Sequence, residues 1–202
     1  MLKALRLLNP AKNYLHYRWF YTSEGKLVVG GKSENQNELV IRNFRKPNYT
    51  VMHTSKPGSP FMIIQNDSPS KKDLDEAAVF CGCFSKEWKK LKSARDKIDI
   101  DIFKANQLHK SKAMKIGTFG VTGKKKTVKI KPELMIIIQK GKLRAVPKTK
   151  TKEQILVEVK PGKLSKEKAA EKIAKKIKDK FHFPVSKEEI MQAIPSGNMS
   201  VK

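Results

Sequence analysis

In this 202-residue chain the stretch that most restricts the fold is Leu27-Val28-Val29-Gly30-Gly31-Lys32-Ser33-Glu34, followed by Asn35-Gln36-Asn37-Glu38. Leu27, Val28 and Val29 read as the buried end of a short strand, and the paired glycines then permit a sharp reversal through positive φ. Ser33 can cap a helix that starts at once. Its hydroxyl would accept from the N–H three residues on, while Gln36 reaches back in the manner of a capping box. The outcome is a strand, a glycine turn and a helix amino terminus with Lys32 beside it. Free N–H groups, the positive end of a helix dipole and a lysine together suit an oxyanion such as a nucleic-acid phosphate. The plainer reading is a tight strand-to-helix connection with no ligand, and this stretch alone does not separate the two.

Charge narrows the choice. Forty-four Lys and Arg against 19 Asp and Glu leave a formal net charge of +25. Such an excess repels itself in the compact state, and a polyanion whose counterions are released on binding is the common compensation. Lysine far outnumbers arginine, which suits phosphate contacts better than bidentate reading of base edges. A membrane surface would call for a basic amphipathic helix with large apolar residues. The longest apolar cluster, 134–138, falls far short of the roughly 20 residues that cross a bilayer. The first eight residues mix leucine with charge and are expected to form a short helix rather than a signal segment. Cys81 and Cys83 stand one residue apart, too close for a disulfide staple and too few for a zinc site, so free thiols and a cytoplasmic setting are expected.

The remaining pattern predicts an α+β fold: a mixed, largely antiparallel sheet built from hairpins, with helices packed on it and a small helical carboxy-terminal appendage. Residues 17–23 and 26–30 form a hairpin turning at Glu24-Gly25, with Trp19 in the core. A helix over 33–44 buries Leu39, Val40 and Phe44 and stops before Pro47. Residues 49–54 and 61–65 pair across the loop Ser55-Lys56-Pro57-Gly58-Ser59-Pro60, where Pro57-Gly58 suits a type II turn and Ser59 would offer its hydroxyl at the rim. A helix over 70–85 opens on Ser70 and Asp73, and Trp88 continues or restarts it. Ile98, Ile100 and Ile102 alternate with Asp99 and Asp101, a half-buried strand with both acids facing solvent. After 117–121 and the turn Thr122-Gly123-Lys124, lysines 124, 125, 126 and 129 make a positive hairpin tip, or else a solvated edge that resists aggregation. Strands follow over 134–139, 141–146 and 155–159. Around 148–152 the composition becomes linker-like, and after Pro161-Gly162 a different pattern begins, a basic amphipathic helix capped by Ser165 and then a short helix from Ser186. Ser196-Gly197-Asn198 is expected to be disordered. The division is thus 1–147 and 148–202.

The run Trp19-Phe20-Tyr21-Thr22-Ser23, then Gly25 to Gly31, then Gln36-Asn37-Glu38 resembles the opening signature of the NFACT-R domain. That domain is the RNA-binding part of ribosome quality-control factors of the NEMF and RqcH type, and it also occurs as free-standing proteins. Further blocks agree in order: His53 with Pro57-Gly58-Ser59 and Phe61-Met62-Ile63-Ile64, then Ala77-Ala78, Ser85 and Trp88, then Lys104, Gln107, Gly117-Thr118-Phe119 and Gly123-Lys124-Lys125. The resemblance runs from about Tyr17 to about Ile130. Pro60 stands where many members carry a histidine, so no role of that histidine carries over. The resemblance implies a free-standing form that binds RNA, transfer or ribosomal, with the ribosome as a further candidate partner.

The residues expected to contact RNA are Gly30, Gly31, Lys32, Asn37, His53, Lys56, Gly58, Ser59, Lys104, Lys112, Lys124, Lys125 and Lys126. No cofactor and no metal are expected. A non-enzymatic RNA-binding protein competes with two other readings. An RNA-processing enzyme would use His53 or a metal on Asp99 and Asp101, yet no nucleophile, base or third ligand stands at a diagnostic spacing. A DNA-binding protein would be expected to show a helix-turn-helix or zinc-finger pattern, and none is visible. The sequence leaves the oligomeric state open.

Overall fold

The computed structural model describes residues 14–91, 93, 95–149 and 153–202. The helix expected over the first eight residues and the centre of the expected linker lie outside them.

Antiparallel hairpins dominate, as the alternating apolar runs predict. In chain order come β1 (Arg18–Tyr21), β2 (Leu27–Gly30), α1 (Glu34–Phe44), β3 (Thr50–Thr54), β4 (Met62–Ile64) and α2 (Lys71–Cys83). A 3-10 turn over Lys86–Lys90 precedes β5 (Ile98–Lys104), β6 (Leu108–His109), β7 (Gly120–Val121) and β8 (Lys126–Ile130). Then follow β9 (Leu134–Gln139), β10 (Lys142–Pro147), β11 (Val157–Leu164), α3 (Lys166–Phe181), α4 (Lys187–Ala193) and β12 (Met199–Val201). One sheet has the order β1-β2-β4-β3-β5-β8 and a second β10-β9-β11-β12, while β6 and β7 form a small pair. The class is α+β, with helices packed on largely antiparallel sheets.

Period-two alternation explains the layering. Val28, Met52, Met62 and Ile64 turn to the side of the six-stranded sheet that α2 covers through Ala77, Ala78, Phe80 and Cys81. Val29, Val51 and Ile63 turn to the other side, against Val40 and Ile41 of α1. Strands buried on both faces read as nearly unbroken apolar runs, as these do. Met135 and Ile137 of β9 reach the α2 cluster as well, whereas Leu134 and Ile136 face Ala169, Ala170, Ile173 and Ile177 of α3. Helix α2 is therefore sandwiched between two sheets. Ile41 is buried in α1, where Leu39 is only half-buried.

The carboxy-terminal segment carries its two expected helices and also supplies β11 and β12, which extend the sheet begun by β9 and β10. The boundary expected after residue 147 falls between strands of that sheet. Three local expectations are corrected here. The strand expected to end at Val159 runs on through Pro161-Gly162 as β11, with a register shift there. Asn198 is held, its carbonyl accepting from Trp88 Nε1 at 3.2 Å, immediately before β12. Asp101 is buried rather than solvent-facing, because Ser55, Thr127 and Lys125 all donate to its carboxylate. The exposed edge of β1 is closed by side chains of the second sheet: Gln139 exchanges hydrogen bonds with the Tyr21 backbone, and Arg144 donates to Trp19 O at 2.7 Å. Edge carbonyls and amides left bare would otherwise invite strand addition.

Candidate nucleic-acid interface

Helix α1 starts where the sequence places it. Ser33 Oγ accepts from Gln36 N at 3.2 Å, while Gln36 Oε1 accepts from Lys32 N at 2.9 Å, one residue earlier than a strict capping box. Neither Gly30 nor Gly31 has positive φ, contrary to the expected reversal. Close approach explains the second glycine instead, because a Cβ on Gly31 would run into the side chain of Asn37 and its backbone N. Asn37 is buried and joins this turn to the next loop. Its Nδ2 donates to Ser59 O at 3.4 Å and its Oδ1 accepts from Phe61 N at 3.3 Å.

The loop over 55–60 is fixed from both sides. Gly58 has a φ of 107°, and its carbonyl accepts from Lys86 N at 2.8 Å. Ser59 does not offer its hydroxyl at a rim: it is buried, and Oγ accepts from Thr54 N at 2.9 Å. The turn itself, rather than its serine hydroxyl, is what faces outward.

These two pieces enclose a cleft of about 230 Å³, with Gly31, Lys32 and Ser33 on one side and Gly58 and Ser59 on the other. Arg18, Lys86 and Lys89 contribute to the lining. The Arg18 guanidinium lies 4.4 Å from the Phe84 ring centroid, a cation–π seat, and burial pulls its pKa down to about 10. Burial and then the charges of Arg18 and Arg144 lower Lys32. Burial and then the charge of Arg18 likewise lower Lys166, at the start of α3, with Glu167 opposing them and Lys89 adding a smaller push in the same direction as Arg18. Among the described residues, Arg18, Lys32, Lys86, Lys89 and Lys166 make no ion pair with a carboxylate. Glu34, in the first turn of α1, is the acid at the cleft itself. Clustered cations that raise one another's energy, beside the positive end of an 11-residue helix, are arranged to receive an anion.

A second cavity of about 420 Å³ shares Glu34, Asn37, Gly58, Ser59 and Lys86 with this cleft and contains His53, Phe61, Phe103 and Phe119. His53 Nδ1 donates to Thr54 O at 2.7 Å, and its ring lies 4.6 Å from that of Phe61. Burial holds the imidazole below its ordinary pKa, outweighing the Thr54 carbonyl and the nearby Asp101 carboxylate. A third depression contains Lys104, Gln107, Lys124, Lys125 and Lys126, and it shares Phe103 and Lys125 with the second. The three concavities adjoin.

The lysine cluster is not a hairpin tip, since β7 pairs with β6 and β8 with β5. Lys125 is engaged by Asp101 at 2.5 Å, whereas Lys124 and Lys126 are exposed. Of the other expected residues, Gly30 is buried against Met62, Lys56 pairs with Glu87 at 3.5 Å, and Lys104 Nζ donates to Asn48 O at 3.0 Å. Lys112 is exposed and lines none of these concavities. Sequence reasoning missed Arg18, Lys86 and Lys89 as members of the cleft. Among the described residues no three of His, Cys, Asp and Glu converge as metal ligands, and no helix is long and apolar enough to cross a membrane.

Comparisons with known proteins bear on the family and the fold. The family described as the NFACT protein RNA binding domain matches residues 16–123. The archaeal Rqc2 homolog aRqcH of Methanocaldococcus jannaschii is 28% identical over 215 aligned residues, which cover 100% of this chain and 31% of that protein. The ribosome quality control complex subunit NEMF homolog of Drosophila melanogaster is 33% identical over 75 residues, 36% of this chain and 8% of its own length. The chain thus spans at most about a third of these relatives. The C-terminal part of the fibronectin/fibrinogen-binding protein of Streptococcus suis shares the fold, with a TM-score of 0.50 at 22% identity over 65% of this chain and 53% of that one.

Proposed function

Because the chain belongs to the family of NFACT protein RNA-binding domains, we propose that it binds RNA through the cationic cleft at the start of α1, without chemistry of its own, in ribosome quality control. Transfer or ribosomal RNA is the substrate this reading names, the ribosome is the wider partner, and the cytoplasm is the setting. The names of the similar quality-control proteins support that context. The observation that carries the reading is the convergence of Arg18, Lys32, Lys86 and Lys89 on one cleft, with no carboxylate paired to them among the described residues. Phosphate is the oxyanion that such a cleft meets in repeated register along a strand. Lys104, Lys124 and Lys126, around the adjoining depression, then extend the positive track.

Titrating single-stranded RNA into the purified protein at rising salt tests this. Affinity should fall steeply, with a logarithmic slope of about −0.7 per phosphate contact, and the RNA should be recovered intact. Salt-independent binding would contradict a phosphate-dominated interface. Cleavage abolished by His53→Ala would restore the enzymatic alternative, and preferred binding of duplex DNA would restore the other.

A further inference from the structure

We infer that the aromatic cavity beside the cleft receives one unpaired base of the bound RNA while its phosphate sits in the cleft. This rests on the RNA-binding reading and adds to it where along the strand the protein touches a base. The cavity has the character of a ring-binding site. Phe61 and Phe103 are each 5% exposed and form its apolar lining, and Phe119 is half-buried beside them, its ring 5.4 Å from Phe61 and edge-to-face with it. His53 adds a fourth ring. At about 420 Å³ the space is within the range of small-ligand pockets, about 300–1,000 Å³.

The occupant follows from the neighbourhood. The cavity and the cationic cleft share Glu34, Asn37, Gly58, Ser59 and Lys86, so a group bound in one is continuous with a group bound in the other. A nucleotide has that composition, an anionic phosphate joined to a flat apolar ring system. Aromatic stacking accepts any base, because every base has a π-face. It therefore suits a protein whose lysine-rich surface offers few bidentate base readers.

The wall is also preformed. Gly117, with φ of 75°, lies against the backbone of Glu34 in the first turn of α1, where a Cβ would come within 2.6 Å of Glu34 O. Its N–H donates to Glu38 Oε2 at 2.8 Å. Lys110 Nζ pairs with the same carboxylate at 2.9 Å, donates to Lys115 O and Thr118 O, and stands 4.9 Å from the Phe119 ring centroid. Phe119 is thereby held beside α1 before any ligand arrives, which reduces the ordering that binding would require.

The test compares an oligouridylate with an abasic ribose-phosphate oligomer of the same length, measured against the parent protein and Phe119→Ala. The parent should bind the oligouridylate roughly tenfold more tightly, the affinity equivalent of one stacked base. Phe119→Ala should remove that difference and leave abasic binding unchanged. Since Phe119 also packs against Phe61, a measurement on the parent alone guards against a misfolded variant: 2-aminopurine placed in the oligomer should lose fluorescence on binding, at one position more than the others. Equal binding of the two oligomers by the parent, or uniform fluorescence along the strand, overturns the base pocket while leaving RNA binding standing. Failure of both oligomers to bind overturns the RNA reading and the pocket with it.

Discussion

Lys125 and Lys124 are sequence neighbours with different physical roles. Lys125 reaches the buried carboxylate of Asp101, which also accepts from Thr127 Oγ1 and Ser55 Oγ at 2.7 Å each. Burial alone would raise that carboxyl's pKa, but the three donors and the Lys125 charge outweigh it and hold the value below the ordinary one. Lys125→Glu should therefore reduce stability at neutral pH by about 1–3 kcal/mol, since it leaves a buried charge short of a partner that is itself half in solvent. Lys124→Glu should stay within about 0.5 kcal/mol of the parent. The sign with pH is defined. A depressed carboxyl contributes stability above its unfolded pKa, near 3.9, and loses it as pH falls through the folded value. The gap between Lys125→Glu and the parent should consequently narrow on acidification. Denaturant melts at pH 7 and in the acid limb check both statements, and equal stability at pH 7 would show that Asp101 does not depend on Lys125.

At the scale of elements, α1 and the turn before it were legible because their signals are local. Ser33, Gln36 and the apolar spacing fix the helix start within a few residues, and period-two runs fix β2 to β5. What local signals could not provide is which backbone passes close to which. The glycine pair looked like a φ device, and it is a packing device at Gly31, where the clash partner is six residues further along. Asp101 looked exposed because Asp99 and Asp101 alternate with isoleucines, yet long-range partners from β8 and the 55–60 loop bury one of the two. Lys124, Lys125 and Lys126 looked like a hairpin tip because a glycine turn separates two strand-like runs, which in fact pair with different neighbours. Gly31→Ala provides a direct check. It should lower stability by about 1–3 kcal/mol through overpacking, and it should weaken RNA binding as well because the start of α1 moves. Unchanged stability would mean that Asn37 can yield, and that the close approach is not what requires glycine.

For the whole molecule, the resemblance found in the sequence pointed to the family, but three of the four cations that line the cleft lay beyond local reading. Arg18 comes from β1, and Lys86 and Lys89 from the turn after α2. These are brought together only when α2 is sandwiched between the two sheets, so no spacing in the chain announces them. A local anion site built by this packing competes with a general basic surface, which the net charge of +25 would explain equally well. Two double variants separate these accounts: Lys32→Glu with Lys89→Glu in the cleft, and Lys124→Glu with Lys126→Glu away from it. All four lysines are exposed, and both pairs change the net charge by the same amount, so folding and long-range attraction are matched. The central claim predicts that, at equal low salt, the cleft pair loses RNA affinity by at least roughly tenfold more than the other, about 1.4 kcal/mol. Equal losses in the two variants would contradict it, because binding would then follow the total charge of the protein rather than the cleft at the start of α1.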